Sequence, residues 1–121
     1  MYVCGRAGKK YFEKKRMEEF VEKSLLFDFY GELLTEHQRR IYQDIVFEDL
    51  SVSEVARSEG ITRQGVHDLM KRCDKILAGY EEKLHLVEKF LGIRRRVGEI
   101  RELTEEGSAV DRIAQTILEE M

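Results

Sequence analysis

Seven side chains in a fourteen-residue run have the types and spacing to meet a polyanion. They are Thr62, Arg63, Gln64, His67, Lys71, Arg72 and Lys75. Arg63 carries the planar fork that matches the paired acceptors of guanine, and Gln64 carries the donor–acceptor pair that matches the edge of adenine. Thr62 and His67 add short polar contacts on the same outer face, and Lys71, Arg72 and Lys75 lie further along, where they could neutralise phosphates. From Thr62 to Lys75 four basic residues oppose two acids, Asp68 and Asp74, a local charge of +2. The chemistry implied is recognition of nucleic acid, with no bond made or broken.

Such side chains need a helix that presents them, and the flanking residues spell one. Leu50 to Leu77 reads as two helices joined by a tight turn. Ser51 caps the first, with Glu54 three residues on as the second half of a capping box. Gly60 provides the positive φ that a sharp turn between helices demands. Thr62 caps the second helix, whose inner face is Val66, Leu69 and Met70. With Val55, Ala56 and Ile61 these are the spacings of a helix-turn-helix over residues 51–75. Glu59, just before the turn glycine, stands where such motifs usually place an apolar residue. The alternative is that the two-helix unit is only a packing device.

Composition sets the surroundings. The chain has 121 residues, no proline, no tryptophan, and 37% charged residues, which favours long solvated helices over a β-rich fold. A net charge of −3 argues against an indiscriminate nucleic-acid binder and leaves room for a local basic face. Cys4 and Cys73 offer neither a disulfide framework nor zinc spacing. His37, His67 and His85 are scattered along the chain, without a metal or nucleophile–base motif. We therefore expect no enzyme, no cofactor and no metal. No apolar run has membrane-spanning length and no secretory leader is visible, so the expectation is a cytoplasmic protein.

Residues 1–16 carry six basic residues against Glu13 alone. They read as a nucleic-acid or membrane-surface arm, or as a disordered extension or residues outside the natural start, with a single helical domain over 17–121. Gly8-Lys9 does not make a phosphate loop, since Val3 and Lys10 stand where glycine and Ser or Thr are required. Glu19 to Leu34 predicts an apolar-rich helix with Phe20, Leu25, Leu26, Phe27, Phe29, Tyr30, Leu33 and Leu34, either the central core helix or one that also faces a second subunit. Thr35 with Gln38 forms a capping box for a helix with Ile41, Tyr42, Ile45 and Val46 inward.

The second helix of the motif does not obviously stop. Val66, Met70, Cys73, Leu77, Tyr80, Leu84, Val87 and Leu91 alternate in steps of four and three, a heptad seam. A continuous helix from Arg63 to Leu91 would be about 43 Å long, with a bend at Gly79 and an end at Gly92. Its seam is served either by the other helices of the chain or by a homodimer. Ile93 to Glu106 predicts a further helix with Val97, Ile100 and Leu103 inward, locally basic through Arg94, Arg95, Arg96 and Arg101. After Gly107, Ser108 caps a last amphipathic helix with Val110, Ile113, Ala114, Ile117, Leu118 and Met121 on one face.

Leu34 to Arg39, followed by Leu50-Ser51 through Gly65-Val66, is similar to region 4 of bacterial sigma factors, the module that reads the −35 promoter element. LLFDFYGELLTEHQ (Leu25–Gln38), GITRQGVHDLMKR (Gly60–Arg72) and YEEKLHL (Tyr80–Leu86) together resemble the YlxM family of small bacterial proteins associated with the signal recognition particle. The resemblance covers Leu25 to Phe90. It implies an all-α, sigma-region-4-like helix-turn-helix bundle whose recognition helix extends into a long helix. It also implies a regulatory role in the signal recognition particle pathway, with DNA or the particle's RNA as partner. Carried over by position, Thr62, Arg63, Gln64, His67 and Lys71 are where a contact helix presents its side chains. The alternative is an adaptor that binds the particle's GTPase or its receptor without touching DNA.

Overall fold

A computed structural model describes the backbone from Gly5 and side chains from Arg16 onward. Among the described residues the fold is all-α: α1 (Gly5–Tyr30), a single 3-10 turn (Gly31–Leu33), α2 (Glu36–Val46), α3 (Val52–Glu59), α4 (Arg63–Leu84), α5 (Leu86–Leu103) and α6 (Ala109–Glu120). The chain groups into two compact units, Met1–Lys83 and Leu84–Met121. The expected basic extension over residues 1–16 lies largely outside the described residues, as does Cys4; its backbone from Gly5 belongs to α1.

In the first unit the helix starts follow the capping residues. Thr35 Oγ1 accepts from the Gln38 amide at 3.2 Å while Gln38 Oε1 accepts from the Thr35 amide at 3.0 Å, closing the capping box of α2. Ser51 Oγ accepts from the Glu54 amide at 3.1 Å, and Thr62 Oγ1 from the Gly65 amide at 2.9 Å. Each satisfies an amide that the first helical turn leaves without an intrahelical partner. Ile41, Val55, Ala56 and Val66 form the buried cluster of α2, α3 and α4, with Ile45, Val52, Ile61, Leu69 and Met70 packed around it.

Aromatic rings carry α1 onto this frame. Phe27 stacks on Tyr42 with centroids 5.5 Å apart, and Tyr30 on Tyr80 at 6.0 Å. Both buried tyrosines place their hydroxyls on carboxylates of α4: Tyr30 donates to Glu81 at 2.6 Å and Tyr42 to Asp74 at 3.2 Å. Asp74 and Glu81 are seven residues apart, two turns along one face. A buried hydroxyl without such an acceptor would be costly, so these two bonds set where α1 and α2 lie along α4.

The helix expected to reach Leu34 ends instead at Tyr30 and tightens into the 3-10 turn. Gly31 sits beneath the Phe27 ring, where a Cβ would stand 3.0 Å from Cδ2, tighter than nine in ten real Cβ contacts. On the described part of α1 Met17, Phe20, Val21 and Phe29 are partly exposed, as is Leu33 in the 3-10 turn.

The expected continuous helix from Arg63 to Leu91 is interrupted at His85. That residue takes left-handed dihedrals, φ 56° and ψ 29°, closing α4 at Leu84 and serving as the N-cap of α5. Neither Gly79 nor Gly92 breaks a helix, because an interior glycine costs only about 1 kcal/mol, less than the hydrogen bonds and packing of a long helix return. Along the expected heptad seam Val66, Cys73 and Leu77 are buried, and so is Val87 beyond the break, whereas Leu84 and Leu91 are exposed.

In the second unit α5 packs against α6. Asp111, a buried acid, organises their junction: its carboxylate accepts from the Gly107 amide and from Arg101 Nε, each at 3.0 Å, and its own amide donates to Ser108 Oγ at 3.2 Å. These bonds, the Gly107 amide first, hold the Asp111 carboxyl below its ordinary range. Ser108 caps α6 as expected. The expected inward set of α5 is corrected: Val97 is buried, but Ile100 and Leu103 are exposed because a two-helix unit covers only one side of each helix. On α6 Ala114 is buried and Leu118 half-buried, while Val110, Ile113, Ile117 and Met121 stay exposed.

Candidate nucleic-acid interface

α3 and α4 are held at their turn by backbone geometry. Gly60 has φ 68° and ψ 32°, and its amide and that of Ile61 both point to the Ala56 carbonyl, the latter at 3.0 Å. A side chain at this φ meets its own backbone, which is why glycine stands here. Thr62 then opens α4.

The unexpected acid before that turn has a partner. Glu59, with 13% of its side-chain surface exposed, accepts from Arg40 Nε and Nη2 at 2.9 Å each, and His37 Nδ1 lies 3.6 Å away. The Arg40 hydrogen bonds hold the Glu59 carboxyl below its ordinary value, and Glu59 raises that of Arg40 in turn. An ion pair across α2 and α3 thus replaces the apolar contact usual at this position. Nothing in the sequence marks Arg40 or His37 as its partners. The signal is present only on the other side, as an acid where an apolar residue is usual.

All seven side chains expected to meet nucleic acid, Thr62, Arg63, Gln64, His67, Lys71, Arg72 and Lys75, are exposed, whereas Val66 of the same turns is buried and Leu69 and Met70 are half-buried. Arg63, His67 and Lys71 follow one another at four-residue steps along one line of α4, and Gln64, Asp68 and Arg72 along the next. From Arg63 to Lys75 the helix rises about 18 Å. The two acids of this stretch both have local partners. Gln64 Nε2 donates to Asp68 at 3.0 Å, so in the free protein the Gln64 amide is partly engaged. Asp74 receives Tyr42 and lies 4.0 Å from Lys23.

The remaining chemistry is sparse. Among the described residues no group of three or more His, Cys, Asp or Glu is placed to hold a metal ion, and no helix is long and apolar enough to cross a membrane. Cys73 is buried, and burial pushes its thiol up to about 11, away from the reactive thiolate.

Comparison with known proteins gives a consistent picture. A family model described as "Putative helix-turn-helix protein, YlxM / p13 like" matches residues 17–118. A UPF0122 protein of Desulforamulus reducens is 50% identical over 74 residues, covering 61% of this chain and 63% of that protein. One from Clostridium botulinum is 42% identical over 97 residues, 79% of this chain and 89% of its own length. One from Bacillus cereus is 36% identical over 103 residues, 85% of this chain and 94% of its own. With the family model spanning nearly the whole described chain, the chain belongs to the YlxM / p13-like family, UPF0122.

Proposed function

We propose that this protein is a non-catalytic regulator that binds nucleic acid through the outer face of α4. Arg63 and Gln64 contact base edges, while Lys71, Arg72 and Lys75 neutralise phosphates. The observation that carries the reading is the division of α4 itself: its contact-type side chains are exposed, and its apolar ones close the core of the motif. The signal recognition particle pathway implied by the YlxM resemblance makes the particle's RNA a candidate target beside promoter-like DNA. Titration of labelled duplex DNA and of that RNA at low salt tests the reading. Binding should weaken steeply with salt, and Arg63→Ala should cost about 1–3 kcal/mol. Failure of both nucleic acids to bind at micromolar protein refutes it.

A second reading, an adaptor for the particle's GTPase or receptor, draws support from a different observation: the exposed Met17, Phe20 and Val21 on α1 and Leu33 in the turn that follows it. Capture of the purified GTPase that survives Arg63→Ala and Gln64→Ala but is lost on Phe20→Ser would favour it.

A further inference from the structure

The most basic stretch among residues 16–121 is not in the helix-turn-helix. Lys89 through Arg96, in the first half of α5, holds four cations and no carboxylate. The second half of α5 and the turn after it are acidic, with Glu99, Glu102, Glu105 and Glu106, so charge is polarised along the unit. All four cations are exposed, and among the described residues none has a carboxylate within ion-pair distance, unlike Arg40 and Arg101, which serve Glu59 and Asp111.

The surface there is concave. A shallow depression of about 390 Å³ is lined by His85, Glu88, Lys89, Gly92, Arg95 and Arg96. Its floor is open because Gly92 has no side chain, and Arg96 Nη1 lies 3.5 Å from where a Cβ would stand. Glu88, the sole carboxylate on this rim among the described residues, lies 3.0 Å from His85 Nδ1. A depression walled by guanidinium forks and an ammonium, and short of anions, matches a phosphodiester group, which arginine can grip through two parallel hydrogen bonds.

We propose that this face of α5 is a second nucleic-acid contact, one that grips the phosphate backbone irrespective of sequence. The second unit then supplies affinity that carries no sequence information. The inference goes beyond the helix-turn-helix reading and does not rest on it.

The test uses the full chain, with a labelled random-sequence duplex DNA and a duplex RNA of the same sequence, titrated at stepwise salt. In the variant Lys89→Gln/Arg95→Gln/Arg96→Gln, which neutralises the three cations lining the depression, the slope of log affinity against log salt should become shallower by about 2–3 on DNA, one unit or slightly less for each phosphate no longer neutralised. The charge-keeping variant Lys89→Arg/Arg95→Lys/Arg96→Lys should retain the slope, which separates charge from any effect on folding. A shallower slope on one duplex alone supports the proposal and identifies the nucleic acid. An unchanged slope in the glutamine variant, with the wild type binding, overturns the proposal and leaves the α4 reading intact. An effect confined to vesicles of phosphatidylglycerol overturns it in favour of a membrane surface, and no binding of either duplex by the wild type overturns it outright. If Arg63→Ala/Gln64→Ala leaves binding and sequence preference unchanged while the glutamine variant no longer binds, the α4 reading fails and this one stands.

Discussion

Arg40 grips both carboxylate oxygens of Glu59 at 2.9 Å each, tying α2 to the last residue of α3, one step before the turn that launches α4. The two partners differ in exposure: Arg40 keeps half of its side chain in solvent, whereas Glu59 keeps 13%. Removing either one therefore has unequal consequences. Arg40→Ala strands a largely covered carboxylate, while Glu59→Leu leaves a guanidinium that water can solvate. Thermal melts should show a clear drop in Tm for Arg40→Ala and a smaller one for Glu59→Leu. Equal losses would mean the pair does not position the turn.

The same pair sets a pH dependence. Glu59 and Asp111 both titrate below their ordinary values of 4.5 and 3.8, the first because of Arg40, the second because of the Gly107 amide and then Arg101. A carboxyl lowered in the folded state stabilises it fully above the unfolded pKa, and that contribution is lost as pH falls through the lowered folded value. Urea midpoints should be flat from neutrality to about pH 5 and decline below about pH 4.5. Glu59→Leu should make that decline shallower, and Asp111→Asn should remove another part of it. A midpoint that instead rises on acidification contradicts both assignments.

The heptad seam offers a direct contrast. Leu77 is fully buried, and Leu84, one heptad on, is exposed. Leu77→Ala should cost about 2–5 kcal/mol, as large-to-small changes in a packed core do. Leu84→Ala should stay within about 0.5 kcal/mol. Comparable losses at both positions, by chemical denaturation, would indicate that Leu84 is packed as Leu77 is.

Gly60 is the one position where the motif's turn needs a positive φ, here 68°, although nothing crowds a Cβ at that point. Gly60→Ala should therefore destabilise through backbone strain alone, by about 1–2 kcal/mol. Gly60→Asn should cost less, since asparagine tolerates the left-handed region. Gly31→Ala should fail for another reason: its Cβ would press on the Phe27 ring and disturb the Phe27–Tyr42 stack, visible as altered near-ultraviolet dichroism.

Cys73 should behave as a folding reporter. With the thiol pushed to about 11 by burial and then by Asp74, about one molecule in a thousand carries a thiolate at pH 8. Alkylation in native buffer should proceed at the rate of global opening and become immediate in denaturant. Rapid labelling without denaturant would place Cys73 outside the core.

The local grammar of the motif was legible in the sequence. Ser51, Gly60 and Thr62 act through their own backbone neighbours, so cap and turn follow from residue type alone. The inner sets of α2, α3 and α4 were legible for a related reason: 3.6-residue periodicity reports which side of a helix is apolar. The same periodicity fails where a side is apolar yet exposed, as with Ile100, Leu103 and, on α1, Met17 and Val21, because pattern records the face and only tertiary packing decides whether anything lies on it. His85 was illegible in another way, since its left-handed dihedrals break a helix that propensity would continue through Gly79 and Gly92 alike. The bonds Arg40–Glu59, Tyr30–Glu81 and Tyr42–Asp74 join residues 19 to 51 positions apart, distances at which no sequence rule specifies a partner. Capped helix starts and apolar helix faces thus come from neighbours within a turn or two, and the sequence alone determines them, whereas the stops at Tyr30 and His85 do not follow from it. Which acid meets which base or hydroxyl depends on the three-dimensional approach of whole helices, and the tertiary structure alone decides it.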